Sequence, residues 1–355
     1  MTVVDDDFDE TLLVERIAAL LGFERLSSAL PGDIWPPYLF VVSFLLLDHG
    51  IVNGYIHLTG GTHILLAAPN IFVAPLAVLF AAFGIRYMWR NYAQAIRDLN
   101  VEQRADDEIT DRFARTMSWR VKAGIYVLAV VVLYANVLFN VGLSTINRPG
   151  GGLIDAVNWL FVFEVAYLPF VVEFALVYFA IHVSLPRRIE QADIGLYFYD
   201  PQNMGGFASV GQLLKRSYYL YTAGLLLFFV VVYGAVILSL GETPATAFSA
   251  AFFSAAWFVG VLSIAYSMLT IHRLMASEKR ERIRELEAEM REVIEKPYDI
   301  NESTVTDENE LDDIRRRLEE VRGTRVYPAT FTMWSQILIS VLLPQALQLV
   351  LQATA

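Results

Sequence analysis

Polar and apolar positions alternate in long blocks along this chain. Seven apolar stretches stand out, near residues 37–58, 69–89, 122–143, 155–184, 217–240, 246–272 and 329–353. A helix needs roughly 20 residues at a 1.5 Å rise to cross a bilayer. The blocks therefore predict an all-α, multi-pass membrane protein with seven transmembrane helices. Asp48, His49 and Asn53 interrupt the first block, and Pro169 lies within the fourth, where a kink or tilt is expected.

The polar segments carry patterns of their own. Residues 8–31 repeat Leu13, Ile17, Leu20, Phe23, Leu26 and Leu30 at helical spacing, with Glu15, Arg16, Glu24 and Arg25 between them. That reads as one amphipathic helix, lying along the membrane interface or packed on the charged hairpin further down the chain. Segment 90–121 reads as helical extension of the second and third spans. Segment 185–216 contains Asp200-Pro201 and Gly205-Gly206, which mark a tight reversal, and a helix is expected from about Ser209. Gly211 is followed by Gln212 where a phosphate-binding loop needs Lys, so no nucleotide site is read there.

Segment 273–328 is the most charged. The sixth span continues to about Glu295 with Ile283, Leu286, Met290 and Ile294 on one stripe. Pro297 stops it, and Asp299 to Ser303 makes a polar turn. A second helix over about 306–322 aligns Leu311, Ile314, Leu318 and Val321, with Gly323 after it. Two such stripes predict an antiparallel hairpin, formed within one subunit or between subunits. The organisation is thus residues 1–34 as an interfacial segment, 35–272 as six spans, 273–328 as a hairpin and 329–355 as the last span.

Charge fixes an expected orientation. Taking alternate connecting segments together, 26 of the 27 Lys and Arg fall on one side and only Arg148 on the other. By the positive-inside rule the N-terminus, the long segments and the hairpin are cytoplasmic and the C-terminus is outside, in a cell membrane. A retinal protein needs a lysine in its last span, and 329–353 has none. The Asp5-Asp6-Asp7 start is not a signal peptide. With 55% hydrophobic residues and a mean hydropathy of +0.45, the acidic surplus is confined to the polar segments. The net charge of -11 and only four lysines suit a halophile's cytoplasm, where molar salt shortens the Debye length to ~3 Å. They argue against nucleic acid as a partner. Cysteine is absent, which removes disulfides and thiol chemistry. No hydrolase or zinc motif occurs, and neither an enzyme nor a cofactor is expected.

The chemistry expected inside the membrane rests on few residues. Asp48, Glu164 and Glu173 are acids within spans, and buried acids are costly unless paired or protonated. Asp48 and Glu173 fall roughly 15–18 Å from the inner face by residue count. Glu164 and Glu173 are nine residues apart, hence on opposite faces of a straight helix. Asp48 with His49 could bind a proton or cation, or Asp48 could bond Asn136 or Asn140 instead. Ala256, Gly260, Ser263, Ser267 and Thr270 form a small-residue stripe for close helix packing. In the last span Gln345, Gln348 and Gln352 share a face beyond Pro344, with Gln336 and Ser340 before it. Such a charge-free amide face suits the lining of a weakly binding aqueous pore, or hydrogen bonding between helices.

Seven spans, the assigned orientation and a long polar segment before a polar last helix resemble the seven-transmembrane ion channel superfamily that includes insect odorant and gustatory receptors. Thr330-Phe331 followed by Gln336-Ile337 is similar to that family's Thr-Tyr…Gln-Phe pattern, with a gap one residue shorter and different second residues. The resemblance implies a tetramer whose last helices line a central pore gated by a small ligand. Three functions are therefore expected in competition. One is an oligomeric ion channel, one a secondary transporter or proton-coupled carrier using Asp48 and Glu173, and one a non-conducting sensor or scaffold.

Overall fold

The computed structural model describes residues 12–32, 34–61, 63, 66, 72–101, 113, 117–136, 138–139, 152–192, 194–237 and 247–327. Among these, five helices are long and apolar enough to cross a membrane: Pro36–Leu58, Val73–Asp98, Trp119–Asn136, Val165–Gln191 and Ala251–Glu292. The chain is a multi-pass helical membrane protein. The expected last span, with Gln336, Ser340, Gln345, Gln348 and Gln352, lies outside the described residues, as do Thr330 and Phe331.

Helices α1 (Leu13–Leu20) and α2 (Phe23–Ala29) replace the single amphipathic helix expected over 8–31. The break falls at Gly22, whose φ of 84° is a left-handed conformation that stops α1. The break also changes the buried face. Leu13, Val14 and Ala18 are buried, whereas Leu20 and Leu26 face outward. α1 packs against the start of α3 (Pro36–Leu58), the start of α5 (Trp119–Asn136) and α6 (residues 152–191) rather than on the charged hairpin.

α4 (Val73–Asp98) and α7 (Ala208–Ile237) make the most extensive helix pair, joined by α6 and α8 (Ala247–Glu292). Two glycines permit the closest approaches. A Cβ at Gly84 of α4 would stand 2.6 Å from the Phe174 ring of α6, and one at Gly260 of α8 would overlap the Tyr221 ring of α7. The small-residue stripe on α8 is thereby a packing seam. Its Ser263, Ser267 and Thr270 are buried, and the Gly260 and Ala256 carbonyls accept from the hydroxyls of Tyr178 (3.2 Å) and Tyr221 (2.5 Å). Ser263 and Ser267 donate to carbonyls of their own helix.

α6 runs through two wide π-helical turns, Phe163–Tyr167 and Ala180–Ser184. Proline explains both. Its ring clashes with the carbonyl four residues earlier and it donates no hydrogen bond. Pro169 and Pro186 stand four residues after Val165 and His182, each within a π turn. A third π turn, Leu46–Val52, lies in the middle of α3. There Asn53 donates from its side chain to the Asp48 carbonyl (2.8 Å), a side-chain insertion that diverts the ladder.

Beyond the spans, α8 continues as one 46-residue helix. β1 (Ile294–Glu295) and β2 (Thr304–Val305) pair antiparallel at its end. α9 (Glu308–Gly323) then folds back along α8 within the same chain. Leu286, Val293, Leu311, Ile314, Leu318 and Val321 make the shared core. Asp307 caps α9 through the Asn309 and Glu310 amides (2.9 and 3.1 Å). Lys279 of α8 closes the other end, donating to the carbonyls of Arg322 (2.8 Å) and Thr324 (2.6 Å). Burial pushes its ammonium below the ordinary lysine value. The reversal at 199–207 docks on this hairpin through Phe198 and a bond from the Arg325 amide to the Asn203 carbonyl (2.8 Å).

Candidate functional site

Asp48 sits midway along α3, where Leu46 and Ile51 face outward on either side of it. Its side chain keeps only 14% of its surface accessible. Its carboxylate gathers three neutral donors. The Asn158 amide donates to Oδ1 at 2.7 Å, the Tyr167 hydroxyl to Oδ2 at 2.9 Å and the Asn53 amide to Oδ1 at 3.2 Å. His49 Nε2 stands 3.7 Å from Oδ2, an ion pair when the imidazole is protonated. His63 Nε2 lies 3.1 Å from the His49 carbonyl and ties the following loop to this turn.

The π turns assemble this cluster. Asn158 and Tyr167 are nine residues apart, which would place them on opposite faces of a regular α-helix. The wide turn at Phe163–Tyr167 rotates less per residue, and both side chains reach one carboxylate. Asn136 or Asn140 was one alternative partner for Asp48. The amides that bond Asp48 belong to Asn53 and Asn158, and Asn140 is outside the described residues. Tyr167 gave no sequence signal, since a tyrosine in an apolar run reads as core. Asn158, a lone amide in the fourth block, was the signal available.

Glu173 occupies a different site. It is fully buried, its Oε1 lies 3.4 Å from the Lys122 ammonium, and its Oε2 accepts the Leu13 amide of α1. Lys122, the fourth residue of α5, is itself 2% exposed. α1 also carries Arg16 over the Trp119 ring (4.8 Å), and Glu15 accepts from Trp35 Nε1 (2.7 Å). Arg86 lies over Trp35 and Tyr38 (5.6 and 5.5 Å). Trp35, Trp119 and two arginines gather around α1, residue types enriched at membrane interfaces. Glu173 is joined to that group through α1 and Lys122. The structure does not join Asp48 and Glu173 into one cluster. The Glu164 backbone belongs to the π turn, and its side chain lies outside the described residues.

His182 is fully buried in the second π turn of α6. Its ring stacks on Tyr178 (4.1 Å), which stacks on Tyr221 (4.2 Å). Nδ1 faces the Tyr178 carbonyl at 3.1 Å and Nε2 the Leu214 carbonyl at 3.2 Å, fixing α6 to α7.

Among the described residues no three His, Asp or Glu side chains converge as a metal-ligand set. The Asp48 cluster instead offers one carboxylate, a histidine, amides and a phenol, which suit a proton or a small monovalent cation. No family model, curated protein or solved structure matches the chain.

Proposed function

We propose that this protein is a multi-pass carrier that moves a proton or small cation across a cell membrane, with Asp48 as the binding group. The observation that carries the reading is the Asp48 carboxylate inside a span, held by Asn158 and Tyr167 from a second helix. An ionised carboxylate in hydrocarbon is costly, and three donors offset that cost without neutralising it. Hydrogen bonds to a charged acceptor contribute about 1.5–3 kcal/mol each, against about 0.5–1.5 for neutral ones. Binding a proton or cation therefore weakens the contact between α3 and α6, which couples occupancy to helix movement. The seven-span count, the cytoplasmic N-terminus and the halophile surface belong to this proposal, supported by the distribution of Lys and Arg and by the acidic surplus.

The test is ion uptake by proteoliposomes with an internal pH dye. Asp48→Asn is expected to abolish proton movement and Tyr167→Phe to shift its pH dependence. Wild-type uptake by Asp48→Asn would sink the reading.

A second reading, an oligomeric ligand-gated channel, has its own observation in the face shared by Gln345, Gln348 and Gln352. Single-channel steps in planar bilayers that vanish in Gln345→Leu and persist in Asp48→Asn would favour it.

A further inference from the structure

Glu173, Lys122 and α1 form a structure that the transport reading leaves unused. A carboxylate 160 residues away in sequence caps the first amide of α1 while holding a buried ammonium. We propose that α1 is a gate closing the Asp48 site on the α1 side of the bilayer, and that Glu173 is the positioning residue that holds it shut. The inference rests on the carrier reading for its purpose, since a gate implies a site that must be reached from both sides.

Three further observations support the gate. First, α1 packs between the starts of α3 and α5 and the side of α6, with Leu13, Val14 and Ala18 buried. Second, its remaining anchors are few and polar or aromatic: Glu15 to Trp35 and Arg16 to Trp119. Such contacts can be exchanged for water at an interface at small cost, which leaves the buried Leu13, Val14 and Ala18 and the Glu173 bond to hold α1 shut. Third, aromatic rings cluster on α3 between its start and Asp48. Phe40 and Phe170 are fully buried and 5.5 Å apart, Phe44 lies 5.2 Å from Phe40, and Phe23 of α2 lies 5.6 Å from it. Moving α1 and α2 away takes Phe23 from this layer. It also takes the Leu13 amide away from Glu173, which sits one turn beyond Phe170 on the same helix.

The absence of native cysteine makes the gate measurable. Val41, fully buried beside Phe40, is replaced in Val41→Cys and treated in proteoliposomes with a membrane-impermeant thiol reagent on the α1 side. Slow labelling is expected in the parent. At least a tenfold faster rate is expected with Glu173→Gln, and also with Glu15→Ala/Arg16→Ala, which loosens α1 and leaves the buried pair in place. Restoring the carboxylate as Glu173→Asp should bring labelling back toward the parent rate. Equal rates in the parent and in Glu15→Ala/Arg16→Ala would overturn the gate, whether or not Glu173→Gln folds. Labelling requires no transport, so a protein with no Asp48-dependent flux but a releasable α1 overturns the carrier reading and leaves the gate standing.

Discussion

The Lys122–Glu173 pair gives the sharpest energetic prediction. Its side chains are 3% and 0% exposed and its N···O distance is 3.4 Å. At an effective dielectric of 20 that separation corresponds to about 5 kcal/mol of attraction. The desolvation of both ions opposes it, so the pair contributes little net stability. Breaking it is another matter. Lys122→Met takes the ammonium away from a buried carboxylate, and Glu173→Gln takes the carboxylate away from a buried ammonium. Each is expected to cost about 3–5 kcal/mol. Replacing both groups by apolar ones, Lys122→Met with Glu173→Leu, removes two charges together. Its remaining cost is the lost cap on α1, about 1 kcal/mol. The coupling energy of the cycle should thus reach or exceed the upper end of the roughly 0.5–3 kcal/mol range usual for neighbouring residues. Thermal unfolding in detergent, followed by tryptophan fluorescence, should show each single variant melting on the order of 10 °C lower and the double variant near wild type. Single variants that melt within about 1 kcal/mol of wild type would refute the reasoning, because such values are those of solvated surface pairs.

Other substitutions test the remaining contacts. Gly84→Ala places a methyl group 2.6 Å from the Phe174 ring and should destabilise by about 1–3 kcal/mol, read as a lowered Tm. Leu318→Ala opens the core shared by α8 and α9 at a cost of about 2–5 kcal/mol, and limited proteolysis should then cut first within 296–325. The Asp200 turn should respond to acid in a defined sense. Burial works to raise its carboxyl, but the amides of Gln202, Gly206 and Met204 outweigh burial and hold it below the ordinary value. A depressed folded pKa means that the contribution is full above the ordinary carboxylate range of about pH 4 and is lost as pH falls through the lower folded value. Amide exchange at those three residues should therefore stay slow at neutral pH and accelerate only in strong acid, and Asp200→Asn should remove that acid dependence.

Long-range order was legible in the sequence wherever a periodic apolar pattern was long. The stripes Ile283–Leu286–Met290 and Leu311–Ile314–Leu318–Val321 meet in the structure, because 3.6-residue periodicity leaves one face to bury and a short polar link allows one return path. The small-residue stripe from Ala256 to Thr270 likewise marks where α7 and α6 approach α8. Asp48 was singled out because an acid in an apolar run must be accounted for. Its partners were not legible, since Asn158 and Tyr167 reach one carboxylate only through a π turn that regular helical angles exclude. Pro169 signalled a disturbance without saying whether it would be a kink or a widened turn, and Pro186 lies beyond the apolar block in which a kink was expected. Composition and period thus determined a multi-pass helical body with an acid in its first span. Tertiary structure alone decided that Lys122 and Glu173 pair and that α1 is clamped at its first amide. That contact joins residues 160 apart, and no local pattern encodes which buried charge meets which.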